Sequence, residues 1–502
     1  MGDLSMKNQA MNNTQIAQLA VIAVVGAALR LFDLGGESFW VDEGFSVYMG
    51  HLAQWSEWQR VEHPPLFYAL VSVWMRIADT DTWLRLLPAM FGIAVIPVVF
   101  FIGRRMFDAN TGFVAAGFMA LTAFHVRFSR DLTMYSLEVF LFACALLAVA
   151  HIAASDDPKI RQRAWIAYVA AAAPLAWSQG LAPFYVGIVG LMLPLLRKDF
   201  FSSGLWHTWS IAHGVIVLCF LPWLSTYITR VQSISGDFWA ERPDMLAPWR
   251  QIYEFTVGSI PSIHDRLGAG PDVWVWVVPI YLMLVVAIWR GLVEHNRSVI
   301  ALSVALILPI ATIYLVSILV RPVMVSRQMI ATIVPLVLLL AVGCMHATWP
   351  RIARYATVII IGSLLALSSA YHLRYMQKED WRGASQFIAE HIKPGDTIVF
   401  NSYGDSFHGF LMGRYDPQKT FEGKRLIYIH PVLKQCRGDV TRCLDNVINE
   451  PKGNGTYWIV ESHEQFLPNT VMVSNWLNTS FTKSDQIELI GVKVWKGELN
   501  SM

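Results

Sequence analysis

The chain has 502 residues, of which 55% are apolar and only 15% charged, with a mean hydropathy of +0.43. Soluble domains carry about 25% charged residues, so the composition excludes a disordered chain, a disulfide-dense secreted mini-protein and most cytosolic enzymes. It points instead to a polytopic membrane protein. The 39 Lys and Arg against 37 Asp and Glu leave a net charge of +2, which gives no reason for a nucleic-acid partner. Five cysteines in this length are not a disulfide framework.

Charge-free stretches mark the spans in chain order: between Lys7 and Arg30, Arg85 and Arg104, Asp108 and Arg127, Glu138 and Asp156, Arg163 and Arg197, Asp199 and Arg230, Asp272 and Arg290, Arg297 and Arg321, Arg327 and Arg351, and Arg354 and Arg374. A spanning helix needs about 20 apolar residues. The 33 residues between Arg163 and Arg197 are too many for one span. Splitting them at the Trp177-Ser178-Gln179-Gly180 turn signal predicts eleven spans. Pro64–Arg76 is apolar but too short to cross, and reads as a helix lying in the interface with Trp74 and Arg76 near the headgroups. The first apolar run reads as an uncleaved helix rather than a signal peptide. Lys and Arg are about twice as dense in the loops that an inside N-terminus would place in the cytoplasm. Eleven spans then put the C-terminus outside.

Three parts lie outside the membrane: loops of about 31–84 and 229–271, and a tail of 376–502 that follows the bundle of 1–375. Loops this long between spans are usually functional. In the second, Trp239, Trp249 and Tyr253 suit a sugar ring, a lipid chain or interfacial anchoring. The tail reads as a small α/β domain. Ala384–His391 is an amphipathic helix stopped by Pro394-Gly395, and Thr397–Phe400, Tyr457–Val460 and Ile487–Trp495 are strand candidates. Cys436 and Cys443 both fall in the tail and would pair in an oxidising outer compartment.

The candidate chemistry gathers on one side of the predicted bundle. Phe39-Trp40-Val41-Asp42-Glu43 follows the first span, with Trp40 suited to the interface. A carboxylate at that depth suits a general base for a hydroxyl at the membrane boundary, and an acidic pair there equally answers a helix dipole. Glu62-His63-Pro64-Pro65 opens the interfacial helix, where His63 would hold a phosphate, a metal or only the local structure. Arg127, Arg130 and Asp131 close the third span with Tyr135 one turn on, and Arg321 and Arg327 flank the turn before the tenth. Outer arginines suit an anionic ligand such as a phosphate, or lipid headgroups. Sugar transfer from a lipid phosphate calls for this set: a carboxylate to accept the acceptor's proton, and cations or a metal for the leaving phosphate.

ALRLFDLGGESFWVDEG resembles the first-loop signature of the GT-C glycosyltransferases related to protein O-mannosyltransferases and lipid A aminoarabinose transferases. EHPPLFYALVSVWMRI with RLLPAMFGIAVIPVVFFIGRRMF, FSRDLTMYSLEVFLFA, and DWRGASQFIAEHIKPGD resemble later family segments, over roughly residues 20–200 and more loosely beyond. The resemblance implies an all-α polytopic bundle of about eleven transmembrane helices plus interfacial helices, with a small extracytoplasmic α/β C-terminal domain. It implies a glycosyltransferase of a bacterial inner membrane, taking a sugar from a polyprenyl-phosphate donor to a glycan, lipid or protein acceptor with inversion. By the same resemblance Asp42 is the base and Glu43 its support. His63 stands where relatives carry a phosphate-binding Lys. Arg130 and Arg327 hold the donor phosphate, and Trp40, Tyr135 and Gln179 contact substrate. Asp42, Glu43 and His63 would form a partial shell for a divalent metal if one takes part. Competing readings are a flippase for a lipid-linked sugar, an O-antigen-ligase-like polymerase with a diphosphate donor, and a non-catalytic assembly protein that presents its tail.

Overall fold

The computed structural model describes residues 10–60, 63–233, 240–258, 273–346, 348–375, 377–402, 407–449, 456–464, 467 and 469–500. Two compact units form: Met1–Leu34 with Ala53–Met376, and Gly35–Leu52 with Gln377–Met502.

The first unit is helical: α1 Asn13–Leu31, α3 Trp55–Trp58, α4 Leu66–Trp74, α5 Asp81–Met106, α6 Ala109–Leu121, α7 Ala123–Arg130, α8 Tyr135–Ala154, α9 Pro158–Ala176, α10 Ala182–Leu196, α11 Leu205–Ser233, α12 Ala247–Thr256, α13 Val273–Val293, α14 Arg297–Leu319, a 3-10 helix Ser326–Thr332, α15 Ile333–Cys344 and α16 Arg351–Tyr375. α2, Val41–Leu52, belongs to the other unit. Caps set the starts. Asn12 and Gln15 form a reciprocal capping box on α1, and the side chains of Thr80, Asp108, Asp157 and Asn296 accept first-turn N–H groups of α5, α6, α9 and α14.

Every predicted apolar stretch contains helix. Among the described residues, seven helices can cross a membrane by length and composition, and α6 with α7 makes an eighth as a pair bent by 57°. α10 and the end of α13 are shorter apolar helices, and α9 carries Lys159, Arg161 and Arg163 in its first two turns. The chain is thus multi-pass. The break between α9 and α10 falls at Trp177–Leu181, around Gln179 as expected. α5, with 26 residues, is about 39 Å long. α4, with nine, is about 14 Å long and cannot cross a hydrocarbon core of about 30 Å. Its last residue, Trp74, stacks on Trp83 at 4.6 Å, and each indole N–H donates to the other's carbonyl.

The interior of this unit is apolar except where helices end. The bend at Thr122 frees the last carbonyls of α6, and the buried Arg30 guanidinium donates to those of Met119 and Ala120, each at 3.1 Å, and to His125 Nδ1 at 2.8 Å. In return Arg130 donates to the carbonyls of Leu29 and Phe32 at the end of α1. Backbone groups inside a membrane must be satisfied by protein, and these two arginines do that at a broken helix and a helix end.

The second unit holds α2 and the tail: α17 Trp381–His391, β1 Thr397–Ser402, α18 Phe407–Arg414, β2 Arg425–Tyr428, α19 Ile429–Gln435, α20 Val440–Asn449, β3 Tyr457–Ser462, α21 Thr470–Ser480, β4 Phe481–Leu489 and β5 Val492–Leu499. The sheet order is β2-β1-β3-β5-β4, with β2, β1 and β3 parallel and β5 antiparallel to both its neighbours. The stretch Ile487–Trp495, expected as one strand, is divided by a turn at Gly491, whose φ of +65° suits glycine, into parts of the β4–β5 hairpin. Val440, Leu444 and Ile448 recur every fourth residue on α20 and bury one face against a core with Val399, Ile459, Trp476 and Trp495. Cys436 and Cys443 are disulfide-bonded across the start of α20, as expected.

Candidate functional site

Candidate site residues fall into two clusters, each inside one unit. In the second unit the first turn of α2 carries Asp42 and Glu43. Glu43 is fully buried. It accepts a 3.0 Å bond from Lys378 Nζ and reaches back to the Trp40 N–H at 3.4 Å, which is half of a capping box. The helix-dipole reading therefore holds for Glu43, and Asp42 is half-buried at the next-earlier position.

The tail clamps this turn residue by residue. Ser38 Oγ donates to the Glu379 carbonyl at 2.7 Å and accepts from the Trp381 N–H at 3.1 Å. Phe39 N–H donates to the Tyr415 hydroxyl at 2.7 Å, and Arg382 donates to the Gly36 carbonyl at 3.0 Å. The Glu379 carboxyl accepts from Trp381 Nε1 at 2.6 Å, faces His463 Nε2 at 3.2 Å and receives the Val41 N–H. Burial pushes the Glu379 carboxyl up from its ordinary value; His463 pulls it down and the nearby Asp42 charge pushes it further up. A Cβ on Gly44 would stand 2.8 Å from Leu411 Cδ1, so glycine lets α2 lie close on α18. Phe45 and Tyr48 pack edge-on against Phe407 and Phe410.

In the first unit three of the expected residues come together. His63 Nδ1 accepts the Gly180 N–H at 3.4 Å, next to Gln179, and His63 feels the Arg327 charge. Burial first, and Arg327 second, lower the His63 pKa to about 4. The ring is thus neutral at pH 7 and, with Nδ1 accepting, keeps its proton on Nε2. Tyr185 donates to the Gln328 carbonyl at 2.9 Å, beside Arg327, and the carboxyl of Glu138 acts on Tyr185 from α8.

Arg130 is engaged at the end of α1, and the buried Tyr135 packs edge-on against Phe128 at 4.9 Å. Arg127 lies over the Phe128 ring and 4.0 Å from Asp131. Trp40 provides the N-cap of α2. Among the described residues no group of three or more His, Cys, Asp or Glu is arranged to hold a metal ion. Glu62, Trp239 and the end of the aromatic loop lie outside the described residues. Sequence reasoning missed Lys378, Glu379 and His463, for which a charged run after the last span was the one signal. It also passed over Glu138, which it used only as a span boundary.

In sequence, residues 62–225 match the model of the dolichyl-phosphate-mannose-protein mannosyltransferase family, about a third of the chain. No curated protein matches. In structure, the chain is similar to ArnT from Cupriavidus metallidurans in the apo state, with a TM-score of 0.62 at 14% identity over 96% of this chain and 97% of that one. ArnT bound to undecaprenyl phosphate gives 0.57 at 15% over 97% and 98%. The Archaeoglobus fulgidus oligosaccharyltransferase with zinc and sulfate gives 0.55 at 13% over 95% and 72%. These likenesses show the fold: a GT-C helical membrane bundle with a small C-terminal sheet.

Proposed function

We propose that the chain is an integral-membrane glycosyltransferase that moves a sugar from a polyprenyl-phosphate donor to an acceptor hydroxyl. The observation that carries this reading is the likeness to ArnT over nearly the whole of both chains, in a form that binds undecaprenyl phosphate, joined to the family match over 62–225. The active face is extracytoplasmic and the membrane a bacterial inner membrane, with the N-terminus in the cytoplasm.

Arg327 supplies the fixed positive charge for the donor phosphate. His63 is neutral, so it adds a hydrogen bond from Nε2–H and no charge. Asp42 accepts the proton of the acceptor hydroxyl, whose oxygen forms a bond to the anomeric carbon as the bond to the phosphate oxygen breaks. Polyprenyl phosphate leaves with the electron pair, the anomeric configuration inverts, and no covalent enzyme intermediate is needed. Arg130 acts at one remove, by holding the end of α1.

The test is release of free polyprenyl phosphate by the purified protein given a panel of polyprenyl-phosphate sugars and membrane extract as acceptor, beside Asp42→Asn. Release with one sugar, lost in the variant, is the expected outcome. No release with any monophosphate donor from folded protein would refute the reading in favour of a diphosphate-dependent ligase or a flippase.

A further inference from the structure

Two polar side chains beside the Arg327–His63 cluster are buried with hydrogen-bonding capacity unspent. Glu138, one turn into α8, is fully buried, and neither carboxyl oxygen has a hydrogen-bond partner among the described residues. Gln179, in the break between α9 and α10, is also fully buried. Its Oε1 accepts the Leu181 N–H, and its Nε2 has no partner among the described residues. Buried polar groups are nearly always hydrogen-bonded, and each exception asks for an explanation. A carboxyl in a spanning helix is costlier still, and Leu or Met would fill the place at no such cost.

The two groups belong to one neighbourhood. Tyr185 on α10 packs edge-on against Phe142, one turn after Glu138 on α8, at 5.9 Å and donates to the Gln328 carbonyl. Gly180, next to Gln179, donates to His63, which feels Arg327, the neighbour of Gln328. A polyprenyl chain has no donor or acceptor to offer either group. A phosphate would accept from Gln179 but be repelled by a carboxylate at Glu138. A hydroxyl satisfies both kinds of group, because it accepts from an amide N–H and donates to a carboxyl oxygen.

We propose that Glu138 and Gln179 form the sugar subsite, taking hydroxyls of the donor's sugar ring next to the phosphate position at Arg327 and His63. This rests on the polyprenyl-phosphate donor reading above and deepens it. The sugar-bearing lipid satisfies both groups where the sugar-free product lipid does not. The subsite thus discriminates substrate from product.

The experiment measures affinity of the full-length protein in nanodiscs for sugar-free polyprenyl phosphate and for synthetic polyprenyl-phosphate hexoses and pentoses. Wild type binds its sugar-bearing lipid more tightly than the sugar-free one. Glu138→Leu and Gln179→Met, which removes the donor without adding a charge beside the phosphate position, each lower that preference about tenfold. Affinity for the sugar-free lipid stays unchanged. Glu138→Gln, which keeps the size and the hydrogen bonds, restores most of the preference. Equal weakening of both lipids, an unchanged preference, or a wild-type preference confined to amino-bearing sugars would overturn the subsite. Should Glu138→Leu fail to fold, Gln179→Met decides alone. Wild-type protein that binds no polyprenyl phosphate at all would instead refute the donor reading, and the subsite with it.

Discussion

Replacing Lys378 by methionine removes the cation from a fully buried carboxylate. Glu43 is 0% exposed and Lys378 16% exposed, 3.0 Å apart. At an effective dielectric of about 20 their gross attraction is about 5 kcal/mol, and desolvation offsets most of it, so the net value of the pair is small. The cost of breaking it is not symmetric. Lys378→Met removes the cation from this buried carboxylate and should cost about 3–5 kcal/mol. Glu43→Gln leaves a lysine that can turn its ammonium to solvent, keeps an acceptor for the Trp40 N–H, and should cost only about 1–2 kcal/mol. The double variant should cost clearly less than the sum of the two. Thermal unfolding of the full chain, followed by tail tryptophan fluorescence, reads the cycle. Lys378→Met should lower the midpoint by on the order of 10 °C and Glu43→Gln by much less. Equal losses, or additive ones, would refute the claim that Glu43 is an ionised structural group and would return it to the candidate chemistry.

Asp42→Asn should cut transfer by at least about a hundredfold with donor affinity and midpoint kept, as single-turnover release of polyprenyl phosphate would show. Arg327→Leu should weaken binding of polyprenyl phosphate by roughly 10–100-fold, and Arg327→Lys by less, in a direct affinity measurement. His63 has a folded pKa of about 4 against an ordinary 6.5, so the unfolded chain binds its proton first. Its contribution is therefore full above pH 6.5 and drains away as pH falls towards 4, by about 2–3 kcal/mol. His63→Gln should flatten that part of the stability curve in a pH series. Reduction of Cys436–Cys443, which closes a loop of about eight residues, should cost about 2 kcal/mol and lower the tail's midpoint under dithiothreitol.

The bundle was legible because the membrane imposes long charge-free runs, and each of them contains helix. The break at Gln179 was legible from excess length alone. The bend at Thr122 was not, since nothing in LTAF announces it and the freed carbonyls are met by Arg30 from a helix about 90 residues away. In the tail, alternating β-rich runs located β1 and β3, whereas the four-residue β2 is too short to carry a pattern. The acidic pair was found, and the resemblance, not its local spacing, divided it into a base and a support. That division depends on Lys378 and Glu379, more than 300 residues downstream, and local spacing holds no trace of it. Arg130 drew attention as a cation for a phosphate, and its guanidinium is engaged with main-chain carbonyls, a distinction that composition cannot make.

The partnership of residues 35–52 with 377–502 also sets an order of events during synthesis. The acidic segment leaves the ribosome early and its partners come last, with about 325 residues between them, or roughly 20–60 s of translation. Throughout that interval the helices of the first unit can insert and pack while Glu43 waits without Lys378 and Val41 without Glu379. A chain released before the tail is made would hold an inserted bundle with an unformed acidic turn. Until the tail is made, the turn that carries Asp42 lacks the groups that clamp it.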